Sequence, residues 1–313
     1  MPEKEWDAVV IGDVFTDIIL SDFYRLAART GEESFAKAHK REIGGGAAIT
    51  ACGTARLGLR TALLAVVGGD DDTWLVDKLK LRGVNTDQLQ RHPSEPTGLT
   101  VSVSTTEDRA FFTYFGANQG LPNLLSESSL RREVMSRARH VHLACAPEPA
   151  LLIDLTRELR ASDVRVSVDV GWHEAWLKSS LSAQALQGVS LFMPNEREAE
   201  AMTGETEPPE MLRAFARMGL HGVVLKLGAN GAALLLNRQT YMCPAQRVDA
   251  VDTTGAGDCF DAGFIYGWSR GEAPETCLRM ASICGAFSTR GLGGVTTFPT
   301  IMEIMTALEI KGV

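Results

Sequence analysis

Continuous apolar runs recur along the chain and predict its strands. The first, Ala8-Val9-Val10-Ile11, stops at Gly12-Asp13. An uninterrupted run of this length suits a strand covered on both faces, as in a parallel sheet. Similar runs fall at Thr61–Val67, His140–Ala144, Arg165–Val168, Val189–Met193, Gly222–Leu225 and Ala232–Leu236. Helical periodicity lies between several of them. In Thr73–Arg82, Leu75, Val76 and Leu79 share a face, and Arg82-Gly83 ends the pattern. Ala150–Arg160 repeats it with Leu151, Leu152, Leu155 and Leu159. This alternation predicts an α/β domain with a largely parallel sheet.

Two stretches break the rhythm. Thr97–Ser104 alternates, with Leu99, Val101 and Val103 on one side. Thr105–Asp108 reads as a turn, and Arg109–Phe115 as a second strand. Together they predict a hairpin with one solvated face. Asp17–Asp22 and Ala38–Ile43 supply two more extended pieces. These form a small β appendage on the main body. Asp70-Asp71-Asp72 precede a helical pattern and read as helix-terminal acids rather than metal ligands. No repeat or linker separates two full domains. One domain over residues 1–313 is expected, with the appendage inserted from roughly 14–43 and 97–116.

Composition narrows the class. The chain has 313 residues, 45% apolar and 22% charged, which is ordinary for a globular protein. Lys and Arg number 31 against 39 Asp and Glu, a net charge of −8, which argues against a nucleic-acid partner. No apolar run is long enough to span a bilayer, so no membrane association is expected. The start, Met1-Pro2-Glu3-Lys4-Glu5-Trp6, lacks the features of a signal peptide. Six scattered cysteines without a CxxC pair read as reduced thiols. A cytoplasmic location is expected.

The candidate chemistry sits in Asp252-Thr253-Thr254-Gly255-Ala256-Gly257-Asp258. Phe260, Phe264 and Trp268 follow at helical spacing, so a helix starts near Gly257. Glycines let the backbone approach a ligand. The first amides of the helix have no intrahelical partners and sit at its positive end, which makes an anion site. Asp258 stands where an incoming hydroxyl would meet a bound phosphate, and suits a base for phosphoryl transfer. Gly-Ala-Gly-Asp by itself also fits a tight loop with an ordinary first-turn acid. The chain has neither a GxxxxGK[ST] loop nor a GxGxxG after a strand.

Three segments resemble motifs of the PfkB (ribokinase-type) carbohydrate kinases. One is Asp252–Asp258. The second is Ile43-Gly44-Gly45-Gly46-Ala47-Ala48 with a helix-like Thr50–Leu57, and the third is Pro194-Asn195-Glu196-Arg197-Glu198. The resemblance implies a ribokinase-like α/β three-layer sandwich with a β lid over a sugar site. It implies Asp258 as general base, with the amides of Gly255, Ala256 and Gly257 around the transferring phosphate. Asn195 and Glu198 would hold Mg-bound triphosphate through water, and carboxylates suit Mg²⁺. Lys226, Gly228 and Gly231 resemble the ATP-binding strand and turn. Asp252, Thr254 and Thr297 match positions used for a monovalent cation such as K⁺.

On the substrate side, Asp13 and Asp17 resemble the first sugar-contacting segment, and carboxylates are good acceptors for hydroxyls. Gly44, Gly45, Gly46, Arg109, Asn118 and His173 complete the expected substrate set. Two positions depart from the family pattern. Ile49 stands where the family usually has an Asn. Gly171 and His173 replace an Asn and an Arg common in acid-sugar kinases, and His173 lacks the bidentate fork for a carboxylate. The expectation is an ATP-dependent kinase of a small sugar. A nucleoside kinase and a non-catalytic sugar-binding regulator are the alternatives. A homodimer through the lids is expected.

Overall fold

The computed structural model describes residues 4–23, 31–69, 73–104, 109–126 and 128–310. Its strands are β1 (Trp6–Gly12), β2 (Phe15–Phe23), β3 (Ala36–Gly44), β4 (Thr61–Leu64), β5 (Val66–Gly68), β6 (Gln90–His92), β7 (Gly98–Ser104) and β8 (Arg109–Tyr114). They continue with β9 (Ala138–Ala144), β10 (Arg165–Asp169), β11 (Leu191–Phe192), β12 (Gly222–Lys226), β13 (Ala232–Leu236) and β14 (Gln239–Cys243).

Eight strands build the central sheet in the order β14-β13-β12-β11-β10-β9-β1-β4. From β4 to β12 every pairing is parallel, and β13 and β14 close the far edge antiparallel. The apolar runs are explained by burial on both faces. In β1, Val9 and Ile11 enter one core while Val10 enters the other. In β12, Val223 and Leu225 face one way and Val224 the other. The helices from the middle of the chain, including 149–161 and 208–217, cover the first face. Helices 46–56, 256–270 and 274–288 cover the second. No helix of the described residues is long and apolar enough to cross a membrane.

The run Thr61–Val67 is not one strand. The chain leaves the central sheet after Leu64, and β5 pairs instead with β6. Val189–Met193 contributes only Leu191 and Phe192. The strand β14 was not anticipated, because its Gln239, Thr240 and Met242 are exposed and give no apolar run.

A separate four-stranded sheet has the order β3-β2-β7-β8. The pair β7–β8 is antiparallel, and β2 lies parallel to β7. One row across it reads Ile18, Val101, Phe112, and the next inward row reads Asp17, Thr100, Thr113 with Glu42. Leu99, Val101 and Val103 do share a face, but it is the less covered one, while Ser102 is buried. Asp70–Asp72 and the turn 105–108 lie outside the described residues.

Candidate active site

Four glycines explain how the site comes together. The loop Gly44-Gly45-Gly46 joins β3 to helix 46–56. A Cβ on Gly44 would lie 1.9 Å from Asp17 Oδ1, and one on Gly46 would lie 2.8 Å from Asp258 Oδ1. A Cβ on Gly45, at φ 89°, would lie 2.3 Å from the Asp13 carbonyl. The missing side chains therefore make room for two carboxylates on one ridge. Gly255, at φ 71°, is the N-cap of helix 256–270 and abuts Ile49 and Gly294. Asp258 stands in the first turn of that helix.

Crowding of acids sets the electrostatics. Burial pushes Asp13 up to about 6. Burial, with Asp252, Glu42 and Asp258 nearby, pushes Asp17 up to about 7. Burial and the Asp169 carboxylate push Asp258 up to about 7, against the pull of Lys226. Each group is costly to ionise where it stands, and a base near 7 is matched to neutral pH.

Lys226 ends β12 and is gripped by two acids. Its Nζ lies 2.6 Å from Asp169 Oδ2 and 3.2 Å from Asp261 Oδ2. Burial disfavours its charge, but Asp169 and Asp261 more than restore it, so its pKa is raised. Despite burial, Lys226 and a hydrogen bond from Asp261 hold Asp169 at about 2. Burial drives Asp261 well above the usual carboxylate range. Behind them, His142 Nδ1 and His140 Nε2 share the Ser167 hydroxyl at 2.8 and 2.7 Å. Burial keeps both rings below the ordinary histidine value, so they stay neutral within the core.

A cavity of about 800 Å³ opens beside Gly257. Lys226, Gly228 and Gly231 line it. Residues 245–250, Phe260 and Ala286 line it too, and these were not foreseen. Segment 245–250 has no regular structure and no periodicity to betray it. Asp169 and Asp261 were also missed. Asp261 lies one turn beyond Asp258, and that spacing was the available signal.

Several expected contacts take a different form. Asn118 holds the backbone of Val14 from both ends of its amide, at 3.0 and 2.9 Å, which corrects its assignment to the substrate. The Ala256 amide turns back to Thr253 O at 3.2 Å, so the anion loop rests on Gly255 and Gly257. Thr297 donates to Ser288 O at 2.7 Å. His173 is exposed at the N-cap of the short helix 174–177. The side chain of Arg109 lies outside the described residues. Asn195 and Glu198 form a capping box, with Asn195 N 2.9 Å from Glu198 Oε2 and Glu198 N 2.9 Å from Asn195 Oδ1.

The family model described as pfkB family carbohydrate kinase matches residues 7–301. The chain belongs to this family. It is 28% identical to a deoxyribokinase of Salmonella typhi, over 97% of this chain and 99% of that one. It is 29% identical to a ribokinase of Arabidopsis thaliana, over 97% and 81%. The solved structure of Arabidopsis thaliana ribokinase complexed with ribose and ATP superimposes with a TM-score of 0.85 at 25% identity, covering 97% and 99%. The molecule is therefore a carbohydrate kinase with a ribokinase-like fold. Its site also suits a divalent cation. Burial and the Asp169 carboxylate raise both Glu198 and Asp258, and a divalent cation beside them would favour their charged forms. Glu198 is buried with its carboxylate fixed by the capping box, and its remaining lone pairs suit the water shell of Mg²⁺.

Proposed function

We propose that this kinase transfers the γ-phosphoryl group of ATP to a hydroxyl of a small neutral sugar, with Asp258 as general base. One observation carries the reading. The carboxylates of Asp17 and Asp258 share the Gly44–Gly46 ridge, beside a helix N-terminus that opens on a nucleotide-sized cavity.

The sugar hydroxyls donate to Asp13 and Asp17. Asp258 accepts the proton of the attacking hydroxyl as its oxygen bonds to the γ-phosphorus and the bond to ADP breaks. The amides of Gly255 and Gly257, at the positive helix end, face the charge on the transferring group. Lys226 stands beside Gly257 and carries fixed positive charge toward the phosphates. Asn195 and Glu198 orient Mg²⁺ through water, and the bound ion supplies neutralisation of the phosphate oxygens. The four-stranded sheet acts as the lid, placing Asp17 over the sugar and excluding water.

Two substrate-facing carboxylates repel anionic sugars, so neutral pentoses are preferred over sugar acids and sugar phosphates. The ribokinase and deoxyribokinase relatives support this choice. ADP release should be measured over ribose, deoxyribose, hexoses, gluconate-type acids, sugar phosphates and nucleosides. A preferred acidic or phosphorylated substrate, or a nucleoside, sinks the reading. With the best sugar, log(kcat/KM) should fall with a slope near 2 as pH drops below about 7, because Asp17 and Asp258 both protonate there. Asp17→Asn should reduce that slope to near 1.

We also infer a homodimer through the lids. The outer row runs Arg41, Ile18, Val101, Phe112, apolar on its last three members, and Phe112 is 65% exposed while Tyr114 beside it is 47% exposed. An alternating apolar sheet face of this kind calls for a cover, and a second copy supplies a matching one. Light scattering should give twice the chain mass, and Phe112→Asp should halve it. A monomeric wild-type protein defeats this inference. The six free thiols of the described chain and the need for ATP support a cytoplasmic location.

A further inference from the structure

The loop Leu292–Thr296 connects the lid to the anion loop. A Cβ on Gly293 would lie 2.8 Å from Glu42 Cγ, so the loop packs against the inner face of β3. Gly293 N donates to Asp252 Oδ2 at 2.9 Å, and Thr254 N donates to Asp252 Oδ1 at 2.8 Å. Thr254 precedes Gly255, and a Cβ on Gly255 would lie 3.1 Å from Gly294 Cα. Any shift of this loop is therefore passed to the amides at the helix N-terminus.

An alkali cation is held where carbonyl and carboxylate oxygens replace its water shell. Several oxygens at this junction are already engaged by donors of the chain. Both Asp252 carboxylate oxygens accept amides, as described. Thr297 donates its hydroxyl proton to Ser288 O. Gly294 O accepts from the Cys259 thiol at 3.0 Å, and Val295 O from Arg82 at 2.7 Å. Leu292 O accepts from Lys40 Nζ at 2.8 Å. The residues do not fit the free monovalent cation that the resemblance implied.

Lys40 has the geometry of a substitute. Its ammonium carries three donors, and three oxygens surround it. These are Leu292 O, Thr296 Oγ1 at 2.6 Å and Glu42 Oε2 at 3.3 Å. The charge is needed there, because Glu42 and Asp252 crowd the buried Asp17 carboxylate and add to its cost of ionisation. Lys40 belongs to β3, on the same inner face as Glu42.

We propose that the Lys40 ammonium is a tethered replacement for a free monovalent cation, carried on the lid and holding the 292–296 loop behind the anion site. Lys40 is a positioning residue, acting through Leu292, Thr296 and Glu42. The enzyme consequently works without potassium.

The test compares KCl with tetramethylammonium chloride at matched ionic strength, on wild type, Lys40→Met and Lys40→Arg. Kinase turnover and the thermal unfolding midpoint are both read. The second readout needs no sugar, so a wrong substrate assignment cannot be mistaken for failure here. Wild type should change less than about twofold in kcat, with no potassium-specific shift of its midpoint. Lys40→Met should lose about tenfold or more in kcat at saturating sugar, and potassium should restore part of both readouts. Should Lys40→Met be too unstable to assay, Lys40→Arg decides. Retained potassium-independent turnover in Lys40→Arg supports the proposal, and loss of it overturns the proposal. Potassium activation of wild type overturns it, as does a Lys40→Met enzyme with normal, potassium-indifferent turnover.

Discussion

Asp258→Asn should lower kcat by about 10³-fold, the middle of the usual range for losing a general base. ATP affinity should stay within a few fold, because the amides of Gly255 and Gly257 and the ammonium of Lys226 are untouched. Steady-state ADP release and nucleotide binding by calorimetry check the two halves. Near-normal turnover would remove Asp258 from the mechanism. The same variant should be more heat-stable than wild type at pH 8. Burial and Asp169 raise Asp258 to about 7 in the folded protein, against 3.8 when unfolded. The folded state thus holds a proton that the unfolded state has released, so stability falls as pH rises from about 4 through about 7. Asparagine does not titrate, and the gap in unfolding midpoint should close below pH 4. The catalytic acid is kept at a cost in stability.

Lys226→Met should be the most destabilising single change in the site. It leaves Asp169 and Asp261 facing each other in the interior without their cation. Breaking a buried ion pair from one side costs about 3–5 kcal/mol. Urea unfolding at pH 7 measures it. The sign with pH follows from Asp169, which the pair holds at about 2. Its stabilisation is present above the unfolded value of 3.8 and is lost as pH falls through about 2, so the deficit should shrink in acid. Adding Asp169→Asn to Lys226→Met should recover part of the loss, because the surplus charge goes with it. A single variant as stable as wild type would show that the three groups do not depend on one another.

What could be read from the sequence divides along physical lines. Strands buried on both faces announce themselves as apolar runs, so β1, β9, β10, β12 and β13 were legible. The anion loop was legible because glycines at a helix start have a local chemical meaning. The partners of Lys226 were not. Asp169 ends β10 and Asp261 lies on helix 256–270, and only the parallel packing of the sheet brings them to one ammonium. The cavity wall at 245–250 leaves no periodic trace. Asn118 and Thr297 were polar residues at plausible places, and their side chains turned out to hold backbone. The glycine ridge was recognised as a motif, but its reason appears only in three dimensions, as the space needed by Asp17 and Asp258. Ile49, which stands where the family usually has an Asn, packs against Gly255 and Gly294.

The parallel pairing of β2 with β7 joins segments far apart in sequence, with strand β4 of the central sheet between them in chain order. Non-local pairings of this kind form late, after the entropy of closing the loop has been met. Synthesis proceeds from the N-terminus at roughly 5–20 residues per second. Asp17 therefore leaves the ribosome well before Asp258 exists. Until helix 256–270 docks, a nascent chain carries half of the sugar cradle and none of the phosphoryl machinery. Premature termination anywhere before that helix yields a product that cannot consume ATP.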